Sequence, residues 1–389
     1  MPYHYIYMYA SLPFSFSSFS LSSFFSKKPA PATSSSPSSS SLQLLSSADP
    51  WATVAERSAK EPSIAICALI RNESGDLDEW IAFHWLQGVR KFVLYDDQST
   101  DGTPEVLDRY IQRGIVKYRA VNGTAESVEH KTNGTDVNFQ MKYLNECLEE
   151  ALTTREESGI EWVLFSDADE YLYPKGLNTT VAQALDSLYR GQPCICFFRV
   201  DFGTSGHIDR PQHGLLIENY VHSAHDIRIE PKKYIINLRP ANATEAVSRL
   251  GETPHRIYGA HGAYCIEDRI VNFKMNQYLR SLEDYDRKIR SGFFSGIQKY
   301  TKDPFKQFWA RELNEVLDDS AARGHAQDVR ILLRYWLTTE GLGNGLASLL
   351  QSRLNISTDE DPRAKDVDRG TDSNAARLDG YPCQVSYKL

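Results

Sequence analysis

The stretch that decides the fold is Trp162-Val163-Leu164-Phe165-Ser166-Asp167-Ala168-Asp169-Glu170-Tyr171. Its apolar start is too short for a helix and suits a buried strand. The run stops directly in two aspartates one residue apart. Asp and Asn favour turns for local reasons, but that accounts poorly for acids that follow an apolar strand at once. Two carboxylates so spaced can converge on one hard cation, and carboxylate with water suits Mg²⁺ or Mn²⁺. A cation there can bridge two phosphates and neutralise a leaving diphosphate.

Upstream the same grammar repeats. Residues 63–70 (SIAICALI) form another apolar strand, broken by Arg71-Asn72-Glu73-Ser74-Gly75-Asp76. Leu77, Trp80, Ile81, Trp85 and Leu86 then recur at helical spacing, with Asp76 placed as a cap and Gly88 as the stop. The next strand, 91–95, ends in Asp96-Asp97-Gln98-Ser99-Thr100-Asp101-Gly102. A helix from Pro104 to Gly114 and a strand over 115–121 follow. Beyond them the pattern predicts a helix over 139–152, and, past the aspartates, a helix over 180–189 and a strand over 194–200. Such alternation with short connections predicts an α/β fold, a mainly parallel sheet with helices on both faces. Ligands bind such sheets beyond the carboxyl ends of the strands. Glu73, Asp96, Asp97, Asp101, Asp167 and Asp169 all follow strand ends, so one acidic rim is expected there.

Composition sets the outer limits. The chain has 389 residues, 41% hydrophobic and 24% charged, with a net charge of -8. That is enough apolar material for a sizeable core. A mildly acidic chain without Lys/Arg runs is a poor nucleic-acid binder, because phosphate neutralisation needs a basic face. Six cysteines without a CxxC pair exclude a small disulfide scaffold. Cys194 and Cys196 with His222 and His225 make a poor zinc site, since residues two apart on a strand share a face and thiols pack as small hydrophobes. A haloacid-dehalogenase phosphatase fits poorly too: Tyr171 stands where that motif has Thr or Val, and the motif lies well past the start of the domain, where such phosphatases keep it.

Three segments are expected: 1–60, 61–300 as the catalytic domain, and a helical C-terminal extension over 301–389 with an acidic loop at 359–372. Residues 1–26 carry no Lys, Arg, Asp or Glu and precede Lys27-Lys28; a Ser/Pro/Ala tract follows. The tract reads as a disordered linker. The leading segment reads as a signal-anchor, a transit peptide or a plain disordered tail. Six N-x-S/T sequons, at Asn72, Asn122, Asn133, Asn178, Asn242 and Asn355, point toward a secretory lumen.

The acidic rim also carries a resemblance. Asp96-Asp97-Gln98-Ser99-Thr100-Asp101-Gly102-Thr103 resembles the second-strand signature of GT-A glycosyltransferases of the family-2 type. The wider set is closer to glycosyltransferase family 92, also called DUF23. It comprises Arg71-Asn72-Glu73, Glu79-Trp80 with His84, Gly88-Val89, Gln140, Cys147, Asp167-Ala168-Asp169-Glu170-Tyr171, Phe202-Gly203-Thr204-Ser205-Gly206-His207, Lys232-Lys233-Tyr234-Ile235, and Tyr278 with Ser281, Glu283, Lys288 and Gly292.

The resemblance implies a GT-A fold and inverting, metal-dependent transfer of a sugar from a UDP-sugar, with UDP-galactose favoured, to a glycan or other hydroxyl acceptor. It places Asp96 and Asp97 at the uracil or ribose, Arg71 and Glu73 beside the nucleotide, and Asp167 and Asp169 around Mn²⁺ or Mg²⁺ and the diphosphate. Its usual compartment is the Golgi or ER lumen, with membrane attachment through the N-terminus. Where the family commonly has His-Tyr, this chain has Gln277-Tyr278, so His255 is expected as the third metal ligand, ahead of His261. Asp201 is the candidate general base and Glu170 a supporting residue. The alternative is a catalytically inactive GT-A module that binds glycan or a partner enzyme. Clustered acids repel one another when no cation is present, so Asp167→Asn and Asp169→Asn are each expected to abolish transfer while leaving the melting temperature nearly unchanged or raised.

Overall fold

The structure is a computed structural model of the chain and describes residues 49–50, 61–123, 139–176, 179–225, 228–239, 249–250, 257–258, 265–290, 312–339, 351 and 354. These belong to one unit, Ser39–Leu389. Residues 1–48, His255, His261, the acidic stretch and the sequons at Asn133, Asn178, Asn242 and Asn355 lie outside the described residues.

The alternation becomes β1 (Ser63–Ile70), α1 (Leu77–Leu86), β2 (Val89–Asp97), α2 (Thr103–Gln112), β3 (Val116–Val121), α3 (Phe139–Ser158), β4 (Ile160–Phe165), β5 (Glu170–Pro174), α4 (Val181–Tyr189) and β6 (Cys194–Phe202). β3, β2, β1 and β4 lie side by side in that order, all parallel. Past β4 the sheet turns mixed. β8 (Arg228–Asn237) runs antiparallel between β4 and β6. β12 (Phe273–Tyr278) lies parallel to β6 and antiparallel to β5.

β1 shows how the sheet is covered on both faces. Ile64, Ile66, Ala68 and Ile70 enter one core, whereas Ala65, Cys67 and Leu69 enter the other. The two-residue period of a strand sends alternate side chains to opposite faces. α3 closes the second core through Met141, Leu144, Cys147 and Leu148. α1, α2 and α4 close the first, through residues such as Trp80, Leu107 and Leu185.

The described residues past 300 join this same unit. β13 (Val316–Leu317) extends the sheet through β7 (His222–Ser223), and α6 (Ser320–Thr339) packs on α1 through the first core. Two disulfides tie distant segments, Cys67 to Cys147 and Cys194 to Cys265. Cys194 is therefore half of a bridge, not the packed thiol expected from its strand; Cys196, beside it, is buried outside both bridges. Asp76 departs from expectation too. It holds the N-cap position of α1 without a side-chain cap bond, because its carboxylate is drawn to Arg210 at 2.6 Å and Arg280 at 3.1 Å.

Candidate active site

The parallel strands end at one edge, and the acidic rim assembles there. The loop after β1 is laced to the loop after β2. Asn72 N–H donates to Ser99 Oγ at 2.8 Å, and Thr100 N–H donates to Asn72 Oδ1 at 2.7 Å. Ser74 N–H and Oγ both donate to Asp101, which also accepts from Thr103. Asp101 is thus the turn former its residue type suggests. Asn72 and Gln98 hold left-handed φ angles of 56° and 59°. Strained non-glycine backbone persists where surrounding bonds over-determine it, and it gathers at functional loops.

Asp96 and Asp97 are each only 1% exposed. Asp96 accepts from Ser99 N–H and from Tyr118 Oη, both at 2.9 Å. Burial, with the bond to Asp96, raises the Tyr118 phenol to about 12, which keeps it a donor. Asp97 accepts from Gly123 N–H at 2.8 Å and pairs with Arg71 at 3.4 Å. Glu73, expected beside the nucleotide, pairs with cations: Arg280 at 2.7 Å and Lys288 at 3.9 Å.

The Asp167–Glu170 turn is pinned from three sides. The Trp80 indole donates to Glu170 O at 2.9 Å, Tyr278 N–H donates to Asp169 O at 2.9 Å, and the Glu170 carboxylate accepts from Asp167 N–H at 2.9 Å. His84 completes the support: its Nδ1 bonds Trp80 O at 2.9 Å and its Nε2 accepts from Leu172 N–H at 3.4 Å. Glu79 accepts from Leu216 and Ile217 N–H, fixing the helical turn Leu216–Asn219. Trp80 and His84 are therefore framework for the acidic turn, and Glu79 for the Leu216–Asn219 turn.

Lysines meet both aspartates. Lys233, 1% exposed on β8, places Nζ 2.7 Å from Asp167 Oδ2 and 3.1 Å from Glu170 Oε2. Strand register explains this: Tyr234 is level with Phe165, so Lys233 stands one step beyond the end of β4. Lys288, in the last turn of α5 (Leu282–Arg290), places Nζ 2.8 Å from Asp169 Oδ2. Burial works against ionisation of Asp169, but Lys288 and Arg280 outweigh it and pull the carboxyl down to about 2. The premise of mutually repelling acids thus fails, because each acid has an ammonium partner. Arg199, inside the apolar run of β6, reaches Glu170 at 3.3 Å and Asp201 at 3.1 Å. Asp201 is 2% exposed and clamped to that guanidinium. This place suits fixing Arg199 better than meeting an acceptor hydroxyl from solvent.

The acids still suit a divalent ion. Among the described residues their second oxygens meet long amide contacts, Gln140 Nε2 to Asp167 Oδ1 at 3.4 Å and Gln277 Nε2 to Asp169 Oδ1 at 3.5 Å. Among the described residues no three His, Cys, Asp or Glu side chains are grouped to hold a metal. An ion here would take Asp167 and Asp169 and complete its shell with phosphate oxygens and water, a common arrangement for Mg²⁺.

Lys233 and Lys288 lie within the family-like signatures, yet their pairing with the aspartates was not evident from spacing. Arg199 had one signal, a lone cation in an otherwise apolar strand.

Parallel α/β sheets of this kind bind their ligands beyond the carboxyl ends of the strands, where these acids and buried cations are gathered. The model of glycosyltransferase family 92 matches residues 66–316, and the chain belongs to that family. A family 92 protein of Oryza sativa subsp. japonica is 30% identical over 159 residues, covering 40% of this chain and 24% of that protein. Another, of Ricinus communis, is 27% identical over 166 residues, covering 40% and 25%. The matched stretch thus spans about a quarter of the length of these relatives. Among solved structures, S. aureus TarS is similar at 16% identity over 73% of this chain and 44% of that chain, with a TM-score of 0.28. A TarS fragment in complex with UDP-GlcNAc is 10% identical over 75% and 81%, also with a TM-score of 0.28.

Proposed function

We propose that this chain transfers a glycosyl group, galactose in first place, from a UDP-sugar to a hydroxyl of a glycan acceptor, with inversion and with Mn²⁺ or Mg²⁺. The acceptor oxygen attacks the anomeric carbon, its proton passes to a carboxylate base, and the bond to the UDP oxygen breaks with its electron pair. A divalent ion on Asp167 and Asp169 supplies positive charge opposite the departing diphosphate. Asp96, Asp97 and Arg71 hold the loop that meets the nucleoside. The observation that carries the reading is the pinned Asp167–Glu170 turn at the sheet's carboxyl edge, its acids held in place by buried cations.

Titrating UDP with and without Mn²⁺, then screening nucleotide sugars for transfer, tests it. Metal-linked UDP binding and transfer inhibited by EDTA support the enzyme. Nucleotide binding that ignores the metal, with no transfer from any donor, favours the inactive glycan- or partner-binding module. The lysine partners of both aspartates and Gln277 are the features that suit that second reading.

The same reading sets the protein in the Golgi or ER lumen, held through residues 1–26. Two disulfides accord with an oxidising compartment. Asn122 is exposed, whereas the Asn72 side chain accepts from Thr100 N–H inside the site loops. Among the described residues no helix is long and apolar enough to cross a membrane. Expression in a eukaryotic host checks the compartment: an endoglycosidase-sensitive product that pellets with membranes supports it, and a soluble unglycosylated one retires it.

A further inference from the structure

The opposite edge of the sheet, where the parallel strands begin, holds a cavity of about 320 Å³. It lies between the sheet and the second half of α3, about 20 Å along β1 from Arg71. A cavity of this size with an apolar wall and a few convergent polar groups is the usual form of a small-molecule site. Its wall follows from the sequence. Ala65 on β1 and Ala151 on α3 are small where sheet and helix meet, and Val93 and Ile160 complete the apolar surface.

Cations gather at that wall. The pairing of β1 with β2 steps from Ile64 opposite Val89 to Ala65 opposite Lys91, so Arg90 is an extra residue in its strand. A bulge of this kind re-aims side chains. The consecutive Arg90 and Lys91 accordingly both line the cavity, and Lys117 joins them from β3, level with Val93. The Arg90 guanidinium is set by the carbonyls of Trp85 at 2.8 Å and Val89 at 2.7 Å. Lys91 donates to Gly114 O at 2.8 Å. Among the described lining residues, three cations thus stand against one carboxylate, that of Glu150, which pairs with Lys117. Burial, and then the Lys117 charge, press the Lys91 ammonium below the usual lysine range, with Glu150 opposing them. An anion set beside two like charges relieves their repulsion.

We propose that this cavity is a second ligand site, which takes a small anionic group, phosphate or carboxylate, carried on an apolar body. The apolar body lies on Ala65, Val93 and Ala151, and the anion meets Arg90, Lys91 and Lys117. The carboxyl edge with Asp167 and Asp169 has no part in it, so the proposal is independent of the UDP-sugar reading. If the cations are only the solvated start of two strands, neither their charge nor the cavity wall affects the binding of such an anion.

The test is ligand-observed NMR on the full chain with phenyl phosphate, benzoate and the neutral benzyl alcohol as probes, and melting temperatures as a fold control. We expect phenyl phosphate to bind with a dissociation constant of about a millimolar, as suits so small a ligand. Benzyl alcohol should bind about tenfold more weakly or not at all, because it offers no charge to the lysines. The double variant Lys91→Gln, Lys117→Gln should weaken phenyl phosphate about tenfold, since the charge-assisted bonds are lost. Ala151→Phe keeps every charge and fills the cavity, so it should abolish binding. UDP with Mn²⁺ should leave the phenyl phosphate titration unchanged. Binding of either anion that both variants weaken supports the site. The proposal is overturned if neither anion binds wild type, if benzyl alcohol binds as tightly, or if UDP displaces the probe. Unchanged affinity in the lysine variant, or in a folded Ala151→Phe, overturns it as well. If Ala151→Phe does not fold, the lysine variant decides alone.

Discussion

Asp169 shows what a single side chain carries here. Its carboxylate is held by Lys288 and its backbone carbonyl by Tyr278. Asp169→Asn keeps the shape and removes the charge, so we expect transfer to fall roughly 10²- to 10³-fold, as for loss of a preorganised charge partner. The melting temperature should fall as well, because the variant leaves Lys288 without its close counter-charge; we expect a loss of about 1–2 kcal/mol, discounted for the partial exposure of Lys288. Asp167→Asn should cost less stability, since Lys233 retains Glu170. Paired assays of activity and thermal melting check both, and a raised melting temperature in either variant would show that the acids do repel one another. Asp201→Asn follows a different rule. It loosens Arg199 inside the sheet, so its activity should decline in step with its stability, whereas a general base would lose kcat in a fully folded protein.

Among the elements, the junction of α1 and β2 is the most sharply constrained. Gly88 stops the helix with φ of 100°, and a Cβ there would lie 2.3 Å from the Ala182 Cβ of α4. Gly88→Ala therefore meets both a left-handed backbone and a clash in the core. We expect a loss of about 2–3 kcal/mol, read from the urea midpoint. The position of the glycine at the end of an apolar helix pattern was legible in the sequence. Its contact with α4 was not, because 94 residues of chain separate the two partners. The same holds for β12, whose Gln277 lies level with Glu170 on one side and Asp201 on the other. Nothing local in Phe273–Tyr278 says which two strands it will join.

Across the whole molecule, two buried histidines and two disulfides govern stability. Burial lowers His84 to about 4 and His325 to about 4. An unfolded histidine titrates near 6.5. Between about pH 6.5 and 4 the unfolded chain thus binds more protons than the folded one, and stability falls as pH falls through that window. Each histidine removes roughly 3 kcal/mol of stability by the low end of that window. Melting temperatures from pH 8 to 4.5 should drop below about 6.5, and His325→Phe, set among Phe83 and Tyr173, should flatten the curve. The Cys67–Cys147 bridge spans 80 residues. Closing a loop of that size contributes about 4 kcal/mol on a chain-entropy estimate, so Cys147→Ser should melt well below wild type under oxidising conditions and match it more closely in reductant.

Strand–helix alternation, burial of the sheet on both faces and the gathering of acids at one edge were determined by the sequence alone. These follow from local spacing: a two-residue period for strands, a 3.6-residue period for helices, and polar residues where apolar runs stop. Tertiary structure alone decided the ionic partners of those acids. Lys233 meets Asp167 because β8 inserts antiparallel beside β4, and Lys288 meets Asp169 from a helix 119 residues further along. It also decided that Cys67 meets Cys147, that Asp76 turns from its helix cap to two arginines, and that Asp201 faces Arg199. Charge pairing acts over a few ångströms of space whatever the distance along the chain, so which acid meets which base is known only once the sheet is assembled.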